Sequence, residues 1–527
     1  VRHAVRTADL GALPRGNRHQ AMIVRAGPAL QGAAPAIPAS GTEIAVSGAD
    51  AAGGKFAGTY PVDGAAPQRW LDGPLVREET TIRAVGPLLV LRTDHRAYAD
   101  GTRRIRLTFE NHKTFAPGRH DLTYSATLSV QGQAPRQWRD VRHYRGSNWS
   151  VVVEAAPSWI IQQDPAYLAA AQAVLPYDLG YGIASGRVQA DLATLGGQAG
   201  PLAPGLLVPY FPTTGGRGEI GPLPAWDVRY LKSQDPGARD VMLAMADTAG
   251  AVPWHFAEDD TGLPVRVDQR PLFWADESGA DEWRGTDRIP PGYFEGSDGG
   301  WFLDTSHKPL LTYTAYLVTG DAYYARELAH EAAFAVAKIW PDLRKDSAGV
   351  GEELQLRGRA WALRDVSAAA WLLPESDPLK RYFRDLRAMS LAHMKRKYLD
   401  EGFLDRAGET EGWFEDTSYS VKGGVPPWQN DYMTVILAQE ALRGSADAAA
   451  LVRWTEDYQA GRFLATGADA TFGAAYVHML NYPGTQDPVG SWREAVALTS
   501  TEPAYLNNFP DYGAGYVTSA YAALGMI

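Results

Sequence analysis

Leu317-Val318-Thr319-Gly320-Asp321-Ala322-Tyr323-Tyr324 ends one apolar, helix-like stretch and begins another. The first run stops at a short turn and Asp321 opens the second. An Asp in that place accepts hydrogen bonds from the unpaired amides of a helix's first turn, and its charge suits the positive end of the helix dipole. The same pattern recurs at Asp235 (Lys232-Ser233-Gln234-Asp235-Pro236-Gly237-Ala238), Asp377 (Pro374-Glu375-Ser376-Asp377-Pro378-Leu379-Lys380) and Asp447 (Arg443-Gly444-Ser445-Ala446-Asp447-Ala448). Pro236 and Pro378 fall at the first helical position, where a missing N–H costs nothing. Each turn therefore predicts a helical hairpin, and hairpins in series predict an α/α array, either a ring or a solenoid. The four turns are unevenly spaced, which argues against an open solenoid. It also places the variation in the long loops between hairpins, where function is expected.

Upstream the pattern changes to period two. Polar and apolar residues alternate from Arg104 to Glu110, and Leu122, Tyr124, Ala126, Leu128 and Val130 alternate with Thr and Ser. Such alternation marks antiparallel strands packed on one face. Turn clusters at Asp72-Gly73-Pro74, Asp100-Gly101 and Pro117-Gly118 suit a sandwich. The predicted organisation is a β-sandwich over 1–156, a Gly- and Pro-rich connector over 157–225 with one short helix at Tyr167–Leu175, and a helical domain over 226–527. Predicted helices there include Leu310–Val318 with Ala322–Ile339, Leu354–Leu373 with Leu379–Tyr398, Asp431–Leu442 with Ala448–Leu464, then Phe472–Leu480 and Tyr512–Leu524.

The composition narrows the function classes. A net charge of −11 with no strongly basic stretch argues against nucleic acid as a partner. No run of ~18 apolar residues predicts a membrane span. Zero cysteines exclude disulfides, thiolate metal sites and cysteine nucleophiles. The chain begins at Val1 with no apolar signal core, so a removed signal peptide and a periplasmic or secreted location are the expectation. No G-x-S-x-G elbow, phosphate-binding Gly loop or H-E-x-x-H zinc spacing occurs, so neither a cofactor nor a metal is predicted. An acidic cluster, Glu258-Asp259-Asp260 beside His255, offers a calcium site only as an alternative to an ordinary acidic loop tip.

If the hairpins pack in a ring, the loops leading into each first helix share one face. Those lead-ins repeat Trp, Asp/Glu, Asn and Arg. They hold Arg217 with Trp226-Asp227, then Trp301-Phe302-Leu303-Asp304-Thr305-Ser306-His307, then Glu352-Glu353 with Arg357 just inside. Glu411, Trp413, Glu415, Asp416, Trp428, Asn430, Asp431 and Tyr432 follow, and Asn508 and Asp511 come last. Asp227, Asp304, Asp431 and Asp511 sit near helix starts, so each alone reads first as a cap. Glu411, Glu415 and Asp416 lie in a Trp-rich loop with no helix of their own to cap. The long loop Ala251–Ser306 carries Trp254, Phe273, Trp274, Trp283, Tyr293 and Phe294. It is expected to fold over the mouth of the ring and meet the Glu411 loop.

A β-sandwich followed by helical hairpins with aromatic and acidic loops resembles the six-hairpin, (α/α)6-toroid carbohydrate-active enzymes. The strings Asp304-x-x-His307, Arg357-Gly358-Arg359-Ala360-Trp361 and Trp428-Gln429-Asn430-Asp431-Tyr432 look like that class's inner helices. The resemblance implies an α+β multidomain fold, an N-terminal antiparallel β-sandwich followed by an (α/α) toroid. It also implies a carbohydrate substrate, and an N-terminal sandwich leans towards a hydrolase. A glycosidase needs two carboxyl groups. Asp304 with Glu411, Glu415 or Asp416 is the expected set, with Asp431 in reserve. Trp226, Trp301, Trp413 and Trp428 would serve as sugar platforms, and Arg217 and Asn430 would bind hydroxyls or a carboxylate. The alternative is a polysaccharide lyase, with His307 or Tyr432 as base and Arg217, Arg357 or Asn430 neutralising a uronate. A third reading is a non-catalytic glycan-binding or surface-structural protein.

Overall fold

A computed structural model describes residues 32–37, 41–63, 67–154, 162–180, 182–198, 200–213, 216–276, 282–296, 298–402, 405–416, 423–465, 470–485, 487–507 and 516–527. The chain is a mixed α+β protein with its two larger sheets in the N-terminal region. Strands β1 (Thr42–Asp50), β2 (Lys55–Pro61), β3 (Gln68–Gly73), β4 (Val76–Ala84), β5 (Val90–Tyr98), β6 (Arg103–Asn111), β7 (Leu122–Val130), β8 (Arg136–His143) and β9 (Ser147–Glu154) form two antiparallel sheets. Their orders are β2-β1-β7-β8 and β3-β4-β5-β6-β9. Ile44 faces Leu128 and Val46 faces Ala126 across β1 and β7. These residues share one buried core with Ile105, Leu107 and Phe109 of β6, which is why the alternation of both strands is strict.

The second face of the five-stranded sheet departs from the one-sided packing that alternation predicts. Its polar residues are buried too, because the helical region covers them. Arg104 donates to Asp321 at 2.5 Å, Arg106 to Asp247 at 2.8 Å, and Asp94 pairs with Arg326. Asn148 of β9 donates to Glu327 at 2.9 Å, and His255 meets the same carboxylate at 2.8 Å. His112 stacks on His255 at 4.3 Å. Burial would lower His255, but the Glu327 carboxylate outweighs it and holds the imidazole above its usual range.

The helices are α1 (Pro165–Ala170), α2 (Ser185–Gly197), α3 (Ala225–Ser233), α4 (Pro236–Thr248), α5 (Tyr313–Thr319), α6 (Ala322–Ala337), α7 (Pro341–Ala348), α8 (Leu356–Leu372), α9 (Pro378–Lys395), α10 (Pro427–Leu442), α11 (Ala446–Leu464), α12 (Ala470–Gly473), α13 (Trp492–Thr499) and α14 (Val517–Leu524). Helix α2 lies in the stretch read as a connector, and α7 and α13 are also additions to the predicted set. The end of the expected Phe472–Leu480 helix is instead β11 (His478–Met479), paired with β10 (Gly424–Val425). The expected start of the last helix, Tyr512, and the lead-in residues Asn508 and Asp511 lie outside the described residues. Helix α6 packs against α8, α8 against α10, and α10 against α14, while α9 and α11 pair with α8 and α10 from the other side. Every residue of α6 except Arg326 is buried, and every residue of α8 except Trp371. A helix buried all round belongs to the inside of an array. No helix among the described residues is long and apolar enough to cross a membrane.

Three of the four predicted caps are caps. Asp235 accepts from the N–H of Ala238, Asp321 from Tyr323 and Asp377 from Leu379. At the fourth turn the cap is Ser445, whose hydroxyl accepts from Ala448, and Asp447 sits in the first turn of α11. Among the described residues the cap is the one hydrogen bond of the Asp377 side chain, so Asp377→Ala lowers unfolding stability by about 1 kcal/mol. A urea titration reads this directly, and a loss several times larger means the side chain carries a long-range contact.

The long loop Ala251–Ser306 packs elsewhere than expected. Phe256, Phe273 and Tyr293 enter the helical core. Its hydrogen bonds run to the sandwich, where Ala257 receives the N–H of Thr114, and to the helices. There Ala275 donates to Ala337, Val267 to the Tyr382 hydroxyl and Trp274 to the Lys338 carbonyl. It is a wedge between sandwich and helices, and Glu411 instead accepts from the Trp454 indole at 3.0 Å. The expected cleft wall over Glu411 is thereby corrected. The side chain of Trp283 lies outside what is described. Glu258 is held by Arg270 and Asp259 accepts the N–H of Phe115, so the acidic cluster serves packing.

Candidate active site

The lead-in to α5 varies in burial along its length. Trp301 is buried, Phe302 exposed, Leu303 packed on the core and Asp304 half-buried. Phe302 stands two residues before Asp304 on this lead-in. The Asp304 carboxylate then closes a turn on itself, accepting the N–H of His307 and its ring Nδ1, both at 2.7 Å. With Nδ1 carrying the proton, Nε2 of His307 is an acceptor, and Arg357 donates to it from Nη2 at 2.6 Å.

Arg357 stands in the first turn of α8. Its N–H donates to the Gln429 side chain at 2.6 Å, and its guanidinium lies 5.1 Å from the Trp428 ring. Trp428 is nearly parallel to Tyr516 (5.1 Å, 13°) and to Tyr476 (6.4 Å, 6°). Tyr432 meets Trp428 edge-on at 5.8 Å. Burial raises the Tyr432 phenol to about 12, against the pull of Arg357. Asp304, His307, Arg357, Trp428 and Tyr432 are thus linked in one chain of contacts.

Glu353 completes the group. It is half-buried at the end of the segment that enters α8. Gly358, one turn into that helix, lets the chain approach the Asp304 turn. A Cβ at Gly358 would lie 2.9 Å from the Ser306 hydroxyl, 3.0 Å from that of Thr305 and 3.2 Å from Cγ of Glu353. Arg359 clamps the Glu353 carbonyl from Nε (3.1 Å) and Nη2 (3.0 Å), and Tyr398 accepts from the same guanidinium at 3.0 Å. Burial pushes the Glu353 carboxyl up to about 7. Arg359 opposes that shift, and the charge of Asp304 adds to it. Glu78 and Glu331 reach a similar value, but both are fully enclosed, Glu78 with Arg96 and Glu331 with Thr312 and the N–H of Leu311. Each of the three has another carboxylate nearby, and Glu353 is the one that is half-open. Its sequence context, Glu352-Glu353 at a lead-in, was the signal available for it.

The other expected carboxylates are occupied by structure. Glu415 is bound by Lys397 at 2.7 Å and by the Tyr398 hydroxyl. Burial would raise it, but Arg359 and Lys397 hold it below its usual range. Asp416 accepts the N–H of Leu356 at 2.8 Å, so it caps α8 from a distant segment. Asp431 is buried against Arg462 and Ser519. Asn430 ties the backbone of Phe414 and Pro426. Arg217 pairs with Glu219 at 2.7 Å and donates to the Phe211 carbonyl.

The expected platforms are likewise enclosed. Trp413 is 2% exposed, Trp226 and Trp301 4%, and Trp428 5%, so none offers an open ring face. Trp301 donates its indole N–H to the Tyr144 hydroxyl at 2.9 Å. Searches of family models, curated proteins and solved structures return no significant match to this chain.

Proposed function

We propose that this chain is a glycoside hydrolase whose helical hairpins form an (α/α) toroid and whose paired carboxyls are Glu353 and Asp304. The toroid reading draws support from the succession α6, α8, α10, α14 of mutually packed helices, with α9 and α11 as outer partners. One observation carries the chemistry. Glu353, raised to about 7, sits beside the negative charge of Asp304. A carboxyl raised in this way, with a second carboxyl beside it, suits the acid role. Glu353 protonates the leaving glycosidic oxygen. Asp304, aligned by His307, attacks the anomeric carbon or takes a proton from the attacking water. Tyr432 orients sugar hydroxyls, and the buried Arg357 holds His307 in place. Incubation with a panel of neutral and uronate polysaccharides is expected to release new reducing ends from at least one. Binding without any new reducing ends would instead favour a non-catalytic glycan-binding protein.

A second reading rests on the contact between Arg357 and His307. A guanidinium beside a neutral imidazole, with Tyr432 close by, suits β-elimination from a uronate. Arg357 would neutralise the carboxylate and His307 or Tyr432 would remove the α-proton. Elimination leaves an unsaturated product absorbing in the ultraviolet, whereas hydrolysis yields reducing ends without that absorbance.

A further inference from the structure

We infer that Tyr210 and Phe302 form a stacking platform for a pyranose ring of a glycan chain, next to Asp304 and Glu353. This inference rests on the glycan-active reading and names a subsite for it. Tyr210 is 53% exposed and Phe302 49%, so both rings are open to solvent. Their ring centres are 5.3 Å apart and inclined by 37°.

The pair is held by backbone rather than by side-chain packing. Tyr210 and Phe302 form a parallel bridge, in which Phe211 donates to the Phe302 carbonyl at 2.9 Å and Phe302 to the Pro209 carbonyl at 3.0 Å. Inward neighbours already fill the core beneath, Phe211 against Trp301 edge-on at 5.9 Å. The outward rings therefore have no core left to stabilise. Phe302 lies two residues before Asp304, and Val208 and Leu354 are further exposed apolar side chains. Leu354 directly follows Glu353, so exposed apolar groups border both carboxyls.

An aromatic surface fixed before binding loses little freedom on contact, and the apolar face of a pyranose is a flat partner of matching size. A pair of open aromatic rings on one edge of a half-open site suits a chain that runs past the carboxyls. It is less suited to a small polar molecule, which would find on these rings one hydroxyl, that of Tyr210, and otherwise apolar surface.

The test uses the full chain carrying Glu353→Gln, so that turnover does not consume the probe. Affinity electrophoresis is run in gels containing laminarin, xylan, polygalacturonate or alginate. Retardation by at least one polymer is expected. Adding Tyr210→Ala and Phe302→Ala together should weaken it about ten-fold or more, and either alone should weaken it less. Tyr210→Trp should keep it, and Tyr167→Ala, an exposed tyrosine on α1, should leave it unchanged. Equal retardation with and without the two rings overturns the platform while leaving the hydrolase reading intact. A chain that neither binds nor cleaves any polymer overturns both. Loss of a dimer on removing the rings, read by sedimentation, would make the patch a protein interface and also overturn the platform.

Discussion

Glu353→Gln is expected to lower kcat/KM on the cleaved polysaccharide by about 10²–10⁴-fold, the usual contribution of a positioned general acid. The melting temperature should stay near that of the parent, because Glu353 is half-open and its clamp to Arg359 uses the backbone carbonyl. The pH profile gives a second readout. Glu353 works in its protonated form and is raised to about 7, so kcat/KM should fall as pH rises through that value. Asp304→Asn should cost a comparable factor. It also removes one of the charges that raise Glu353, so the residual activity should fall at lower pH than in the parent. If Glu353→Gln keeps more than half the parent rate, the pairing is wrong. The Arg357–His307 reading then becomes the one to pursue.

What the sequence discloses is what is decided locally. Asp235, Asp321 and Asp377 cap helices because the donor amides lie two or three residues away, and a short window contains the whole interaction. The alternation of β6 is visible for the same reason. The long-range half of each story is absent from the window. Asp416 reads as a loop carboxylate with nothing to cap because its helix, α8, begins sixty positions earlier in the chain. Glu415 reads as a catalyst because Lys397 and Arg359 reach it from other segments. The aromatics of Ala251–Ser306 had to be buried on hydrophobic grounds, and that much was legible. The surface that buries them includes the sandwich, more than a hundred residues upstream, through pairs such as Phe115 with Phe273. The acidic residues of the site divide likewise. Asp304 and His307 are three apart and their turn is local, whereas the environment that raises Glu353 is assembled by folding.

Asp321→Ala is expected to cost about 3–5 kcal/mol, several times the loss at the matching cap Asp377, because it leaves buried positive charge without its partner. Both residues follow a short turn and both cap a helix, so the sequence ranks them equally. The difference lies across the junction. Asp321 is 2% exposed, and while one carboxylate oxygen accepts the N–H of Tyr323, the other takes Arg104 of β6 at 2.5 Å. Arg106 approaches the same oxygen at 3.8 Å, and its own side chain is almost completely enclosed. Burial alone would raise the Asp321 carboxyl, but Arg104, Arg106 and Arg96 together hold it well below the carboxylate range. A carboxyl depressed in this way contributes stability that is fully present above its unfolded value of about 3.9 and is lost as pH falls below it. Urea unfolding at pH 7 should therefore show the full penalty for Asp321→Ala. The gap between variant and parent should then narrow as the pH is lowered below about 4. Asp321→Asn tests the cap and the charge separately, since the amide oxygen can still accept from Tyr323. If Asn restores the parent stability, the capping bond is what matters. If it remains as damaging as Ala, the charge of Asp321 is what fastens α6 to the sandwich.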